Sequence, residues 1–78
     1  MNDYEKGRRW GFAIFRNKVK VYGEYGIRQC DKASMICEKY LKDGRRKNKK
    51  LTKKEREFYK GAVDGFQEFY NKRILKIK

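Results

Sequence analysis

The chain has 78 residues, of which 23 are Lys or Arg and 10 are Asp or Glu, so its formal charge is +13. Its lack of His and its two Cys exclude a disulfide-rich scaffold, a zinc site with four nitrogen or sulfur ligands and any mechanism that needs a histidine base. The length sets a ceiling of one domain. Five Phe, six Tyr and one Trp supply enough apolar surface for a core, and we therefore expect a folded domain. The elements below predict that this domain is all-α, with three helices.

The first third of the chain admits two interpretations. Apolar residues alternate between Trp10 and Val21, which is typical of a β-hairpin. The same stretch also fits a helix over about residues 3–18, capped by Asn2 or Asp3. An internal repeat, described below, favours the helix. The stretch from Val19 to Gly26 stays unassigned, because its two Gly suggest either a connection or a frayed helix end.

The second predicted helix spans about residues 32–43. Asp31 can cap its start and Gly44 can end it. Its apolar stripe comprises Ala33, Ile36, Cys37, Tyr40 and Leu41. We interpret both cysteines of the chain, Cys30 and Cys37, as small core residues in a reducing compartment.

The third predicted helix spans about residues 53–75. Thr52 and Glu55 form a capping-box pattern at its start. Between it and the second helix, residues 44–52 read as an exposed basic loop. This loop brings positive charge to a helix N-terminus, where the helix dipole disfavours it, and an anionic partner would relieve that conflict.

Two segments of the chain, residues 6–18 and residues 60–72, form an internal repeat. At a constant offset of 54 they share seven identities in thirteen positions. Glycine costs roughly 1 kcal/mol relative to Ala inside a helix, so the repeated Gly-x-x-x-Gly-Phe pattern predicts that another backbone approaches closely. That backbone belongs either to the other copy of the repeat or to a partner, such as a second subunit in a homodimer. The predicted face comprises Gly7, Gly11, Phe12, Phe15, Gly61, Gly65, Phe66 and Phe69.

The basic residues predict a nucleic-acid-binding surface with the loop as its main contact. An antiparallel pairing of the first and third helices would bring Lys18 and Lys20 near Lys53 and Lys54 in one continuous patch. Since flexible basic loops order on RNA, we favour RNA over DNA and expect recognition of shape and charge. The candidate residues are Arg45, Arg46, Lys47, Lys49, Lys50, Lys53, Lys54, Arg16, Lys18 and Lys20.

Three aromatic residues, Trp10, Tyr22 and Tyr25, could stack on unpaired bases if they are exposed. We interpret them first as core or rim residues. The acidic residues of the third helix, including Asp64 and Glu68, alternate with Lys and indicate a solvated ion-pair face, not a metal centre. Because neither Cys has a His to activate it, we expect no enzyme, no metal and no cofactor.

In general style, short, rich in Lys and Tyr and without Pro, the sequence looks like small early proteins of tailed bacteriophages. Those proteins commonly counter host nucleases, toxins or defence systems. The likeness is one of composition and assigns no residue a role. It implies an alternative function, an inhibitor or adaptor that binds an acidic host protein, with or without RNA. The N-terminal stretch lacks the apolar run of a signal peptide, so we expect a cytoplasmic protein that does not enter membranes.

Overall fold

The computed structural model describes residues 2–74 and contains three packed helices with a short hairpin. The predicted all-α three-helix domain is confirmed. The elements are α1 (Asp3–Tyr22), α2 (Glu24–Asp43), β1 (Arg45–Arg46), β2 (Lys49–Lys50), α3 (Lys53–Phe69) and a π-helical turn (Tyr70–Ile74).

The ambiguous first third is one continuous helix. The Asn2 side chain accepts a hydrogen bond from the Glu5 backbone N–H at 2.8 Å, so Asn2 and not Asp3 is the cap. The helix continues to Tyr22, beyond the predicted end at residue 18. It stops at Gly23, whose φ of 61° lies in the left-handed region that favours glycine.

The second helix starts at Glu24, so the predicted start near residue 32 is wrong. Asp31 does not cap it but lies exposed within it. The sequence suggested a connection because of two Gly, yet only Gly23 makes the break. Gly26 is helical and buried, and a Cβ there would lie 2.2 Å from the Lys18 carbonyl oxygen. This glycine therefore allows α1 and α2 to cross closely.

The basic loop of residues 44–52 contains an ordered two-stranded antiparallel hairpin. Gly44 ends α2 in the left-handed conformation, with a φ of 68°. The Leu51 backbone N–H donates to the Gly44 carbonyl at 3.0 Å, which closes the base of the hairpin. The Leu51 side chain is buried, so this end of the loop is fixed to the core.

The third helix begins where the sequence predicts. The Thr52 hydroxyl accepts from the Glu55 backbone N–H, and the Glu55 carboxylate accepts from the Thr52 backbone N–H, each at 3.1 Å. The predicted capping box is therefore present. The α-helix ends at Phe69 and continues as the π-helical turn, so the predicted end at residue 75 lies outside the described residues.

The repeated glycines lie where α1 and α3 cross. A Cβ on Gly7 would be 1.9 Å from the Phe58 carbonyl oxygen, and one on Gly11 would be 2.5 Å from that of Ala62. Residue numbers rise together along the two helices, so α1 and α3 are parallel. The antiparallel pairing that would join the basic groups into one patch does not occur between them. The α2 helix runs in the opposite direction and packs against both of them.

The two copies of the repeat are related by an approximate two-fold axis along the helix pair. Gly7 contacts the Phe58 backbone. Gly61 contacts the Tyr4 backbone, and a Cβ on Gly61 would lie 2.0 Å from the Tyr4 carbonyl oxygen. Adding 54 to Tyr4 and Gly7 gives Phe58 and Gly61, so the offset exchanges the two contacts. The sequence repeat is thus also a repeat of contacts.

The aromatic core obeys the same symmetry. The ring centroids of Phe12 and Phe69 are 5.2 Å apart, and those of the equivalent pair, Phe15 and Phe66, are 6.2 Å apart. Phe15 also packs against its own counterpart, Phe69, at 4.8 Å. The predicted glycines are all buried and these rings pack between the two helices, so the whole Gly-Phe face is occupied within the chain. A homodimer would need another surface.

Candidate nucleic-acid interface

The hairpin presents five of the candidate cations on a fixed backbone. Its register pairs Arg45 with Lys50 and Arg46 with Lys49, and Lys47 lies in the two-residue turn. All five side chains are exposed. The backbone that carries these charges, predicted as a flexible loop, is therefore an ordered hairpin, which lowers the entropic cost of binding an anion.

The hairpin cations lack carboxylate partners in the described part of the chain. Across residues 2–74, carboxylate oxygens lie within 4.0 Å of the side-chain nitrogens of Arg8 and Lys72 alone. Glu55 lines a concavity together with Arg46, Lys47 and Lys49, but its carboxylate accepts the hydrogen bond of the helix cap. Hydrogen bonding to Thr52 holds the pKa of Glu55 below its usual range, and the charges of Arg46 and Lys49 add to that shift.

Arg46 attaches the hairpin to the helices. Its Nη1 donates to the Tyr59 hydroxyl at 3.1 Å. A guanidinium carries five N–H donors, so this bond leaves others for a phosphate while fixing the direction of the side chain. The Tyr59 ring in turn packs against Tyr40 of α2, with centroids 5.5 Å apart.

The turn of the hairpin holds Lys47 at a φ of 57°, the one positive φ of a non-glycine residue in the described chain. This conformation costs an L-residue with a Cβ roughly 1–2 kcal/mol, and glycine adopts it freely. Compared with glycine, a lysine at this position lowers the stability of the fold but places a positive charge at the tip of the hairpin.

The remaining cations divide between the two ends of the molecule. Lys53 and Lys54 are exposed at the start of α3, next to the hairpin. Arg16, Lys18 and Lys20 lie toward the other end, because α1 runs parallel to α3. At about 1.5 Å per residue, Lys18 is roughly 25 Å along the helix pair from Lys53. The structure does not bring them together, and the predicted continuous patch is wrong.

The three aromatic residues considered for stacking are partly exposed. Trp10 is 41% exposed near the hairpin, whereas Tyr22 and Tyr25 are 49% and 61% exposed at the α1–α2 corner. At that corner the Lys18 ammonium lies 5.2 Å from the Tyr22 ring centroid. The hairpin end therefore combines its five cations with an exposed indole, and the corner combines one cation with two phenols.

Sequence reasoning missed the groove beside Trp10. This groove, about 420 Å³ in volume, joins α1, α2, α3 and the hairpin. Ile36, Tyr40 and Arg46 belong to it, together with Trp10. The sequence placed Ile36 and Tyr40 in a core stripe, but Ile36 is 45% exposed. The parallel packing of α1 and α3 brings these residues to Trp10, and nothing in the local sequence signals it.

The acidic residues singled out on α3 form an ion-pair network with α1. Arg8 donates to Glu68 at 2.7 Å and to Glu5 at 3.1 Å, and Lys72 donates to Glu68 at 3.0 Å. The hydrogen bond from Lys72, and then that from Arg8, holds the pKa of Glu68 below its usual range. Asp64 accepts from the Tyr4 hydroxyl, which raises the pKa of Tyr4. Within residues 2–74, His, Cys, Asp and Glu form no group of three or more that could hold a metal ion.

Both cysteines are free thiols in the core, as the sequence analysis interprets them. Cys30 is 1% exposed and Cys37 is 6% exposed. Burial raises the pKa of both thiols, with a smaller opposing effect of the Lys18 charge on Cys30. Such thiols are poor nucleophiles at neutral pH.

Comparison with known proteins gave no match to a family model, to a curated protein or to a solved structure. None of the helices in the described residues has the length and apolar character needed to cross a membrane.

Proposed function

We propose that this chain is a small, non-enzymatic RNA-binding protein whose hairpin contacts the phosphate backbone. The observation that carries the proposal is the set of five exposed cations on the ordered hairpin of residues 45–50, which have no carboxylate within ion-pair distance in the described chain. Phosphates would replace the missing counter-charges and release condensed ions from the polymer.

The neighbourhood of the hairpin supports RNA over DNA. RNA is bound mainly at unpaired segments, whose bases stack on aromatic side chains. The exposed Trp10 and the groove beside it lie next to Arg46. Lys53 and Lys54 extend the same basic surface at the start of α3. Because its two thiols are unpaired, we expect the protein to act in the reducing cytoplasm.

A pair of charge-matched variants tests the proposal. The hairpin variant replaces five cations by Ser: Arg45, Arg46, Lys47, Lys49 and Lys50. The control variant replaces two Arg and three Lys that are exposed elsewhere: Arg28, Arg73, Lys6, Lys32 and Lys60. Both remove five positive charges from a formal +13, so net charge alone affects them equally.

Binding is measured by anisotropy of a labelled single-stranded RNA and of DNA with the same sequence. We expect the hairpin variant to lose RNA binding, the control to keep most of it, and the wild type to prefer RNA. If both variants lost the same RNA affinity, the binding would depend on net charge alone and not on the hairpin. If the wild type failed to bind RNA at low salt and instead held an acidic protein at fixed stoichiometry, the inhibitor or adaptor function would replace this one.

A further inference from the structure

The groove beside Trp10 has the composition of a site for a flat aromatic ligand. The Trp10 ring packs against Phe58 with centroids 5.5 Å apart and against Phe66 at 5.9 Å, yet it stays 41% exposed. Part of the indole therefore remains available to a ligand, while two rings pack against the rest. A rigid aromatic side chain of this kind binds a second ring with little loss of conformational freedom.

The groove is lined by further aromatic residues. Tyr40 and Tyr59 pack against one another, and Ile36 lines the rim with 45% of its surface exposed. The volume of about 420 Å³ falls within the range of roughly 300–1,000 Å³ that is typical of small-ligand sites. One unpaired nucleobase is a ligand of suitable shape for such a slot.

Charge is distributed around the groove as a nucleotide requires. Arg46 belongs to the groove itself, and its hydrogen bond to Tyr59 fixes the guanidinium at the edge. A neighbouring concavity of about 550 Å³ shares Ile36 and Tyr40 and adds Lys39, Arg45, Lys47 and Asp43. The lining of the groove is mostly apolar and aromatic, and the side next to the hairpin carries mostly cations.

We propose that the Trp10 groove binds an unpaired base of a single-stranded RNA by stacking, while the hairpin holds the adjoining phosphates. This inference rests on the proposed function and narrows it to single strands, because a base within a duplex cannot enter the groove. It assigns Trp10 to base stacking, Arg46 to the phosphate next to that base, and Ile36 and Tyr40 to the apolar lining around the base.

The single Trp of the chain reports directly on this groove. Unlabelled single-stranded RNA, the same RNA as a paired duplex, and inorganic polyphosphate, a polyanion without bases, are titrated at low salt. We expect the single strand to quench Trp10 fluorescence strongly and the other two to leave it nearly unchanged. Equal quenching by polyphosphate would overturn the stacking assignment.

Two variants test the contribution of the groove to affinity. Trp10→Leu keeps an apolar side chain, and Ile36→Ser alters only the exposed rim, so at least one of them is expected to fold. Stacking on one base predicts about a 5- to 100-fold loss of single-strand affinity for Trp10→Leu, a smaller loss for Ile36→Ser and no loss of duplex affinity. Met35→Ala is the control, because Met35 lies next to Ile36 on α2, is 69% exposed and does not line the groove.

The outcomes separate this inference from the proposed function. If RNA bound through the hairpin but neither variant affected it and Trp10 were not quenched, the groove assignment would fail and the RNA-binding function would stand. If no RNA bound to the wild type, both would fail. A groove that responded to an acidic polypeptide such as polyglutamate and not to RNA would contradict both and indicate a protein partner.

Discussion

Gly65 of α3 lies against the backbone of Arg8 in α1, and a Cβ atom on Gly65 would be 2.1 Å from the Arg8 carbonyl oxygen. The contact is with backbone, which cannot rotate away as a side chain can. Whether replacing Gly65 by Ala raises or lowers the stability therefore tests this contact.

Gly65→Ala is expected to destabilise the protein. In an uncrowded helix the change would stabilise it by up to about 1 kcal/mol, because Ala has the higher helix propensity. Here the added methyl must push α1 and α3 apart, at a cost of roughly 1–3 kcal/mol. A net loss of about 1 kcal/mol should lower the Tm by roughly 4–8 °C, as followed by circular dichroism during thermal unfolding. The control is Lys60→Ala, at an exposed site of the same helix; a Gly65→Ala protein more stable than wild type would contradict the close crossing.

Lys47→Gly is expected to separate stability from binding. Glycine relieves the positive φ of 57° at the hairpin turn, so the free energy of unfolding should stay constant or rise. The lost charge should weaken RNA binding and make its salt dependence shallower by about 0.7 in the log–log slope. Urea unfolding and anisotropy on the same preparation measure the two effects. A variant that was less stable yet bound RNA with full affinity would contradict the role assigned to Lys47.

The network around Glu68 predicts a stability change in acid. The Lys72 and Arg8 hydrogen bonds lower the pKa of Glu68 from its ordinary 4.5, so its contribution to stability is complete above that pH. The contribution is lost as the pH falls through the lower pKa of the folded state. Glu68→Gln should therefore reduce the Tm at pH 7 but have little effect at pH 2. The exposed Glu38→Gln serves as control, and an equal effect of Glu68→Gln at both pH values would contradict the ion-pair network.

Local signals in the sequence predicted much of the fold. The Thr52 cap, the end of a helix at Gly44 and the close approach at the repeated glycines each depend on a few neighbouring residues with one dominant physical cause. The repeat also resolved the choice between hairpin and helix, because a helical second copy implied a helical first copy.

The features that sequence reasoning missed depend on tertiary packing. Gly23 and Gly26 have the same composition signal, but only the first has a positive φ, and the second is buried against Lys18. The direction of α1 relative to α3 cannot be read from either helix alone. The predicted site therefore combined two groups of cations that lie far apart in the structure. The groove at Trp10 follows from that direction and could not be predicted before it was known.

The salt dependence of RNA binding tests the central claim most directly. Affinity for a single-stranded RNA is measured over a range of monovalent salt for the wild type, the hairpin variant and the charge-matched control. If the hairpin neutralises the phosphates, the log–log slope should become shallower by about 3.5 in the hairpin variant and change little in the control. Equal slopes in the wild type and the hairpin variant would contradict the account, because the counterions would then be released from another surface.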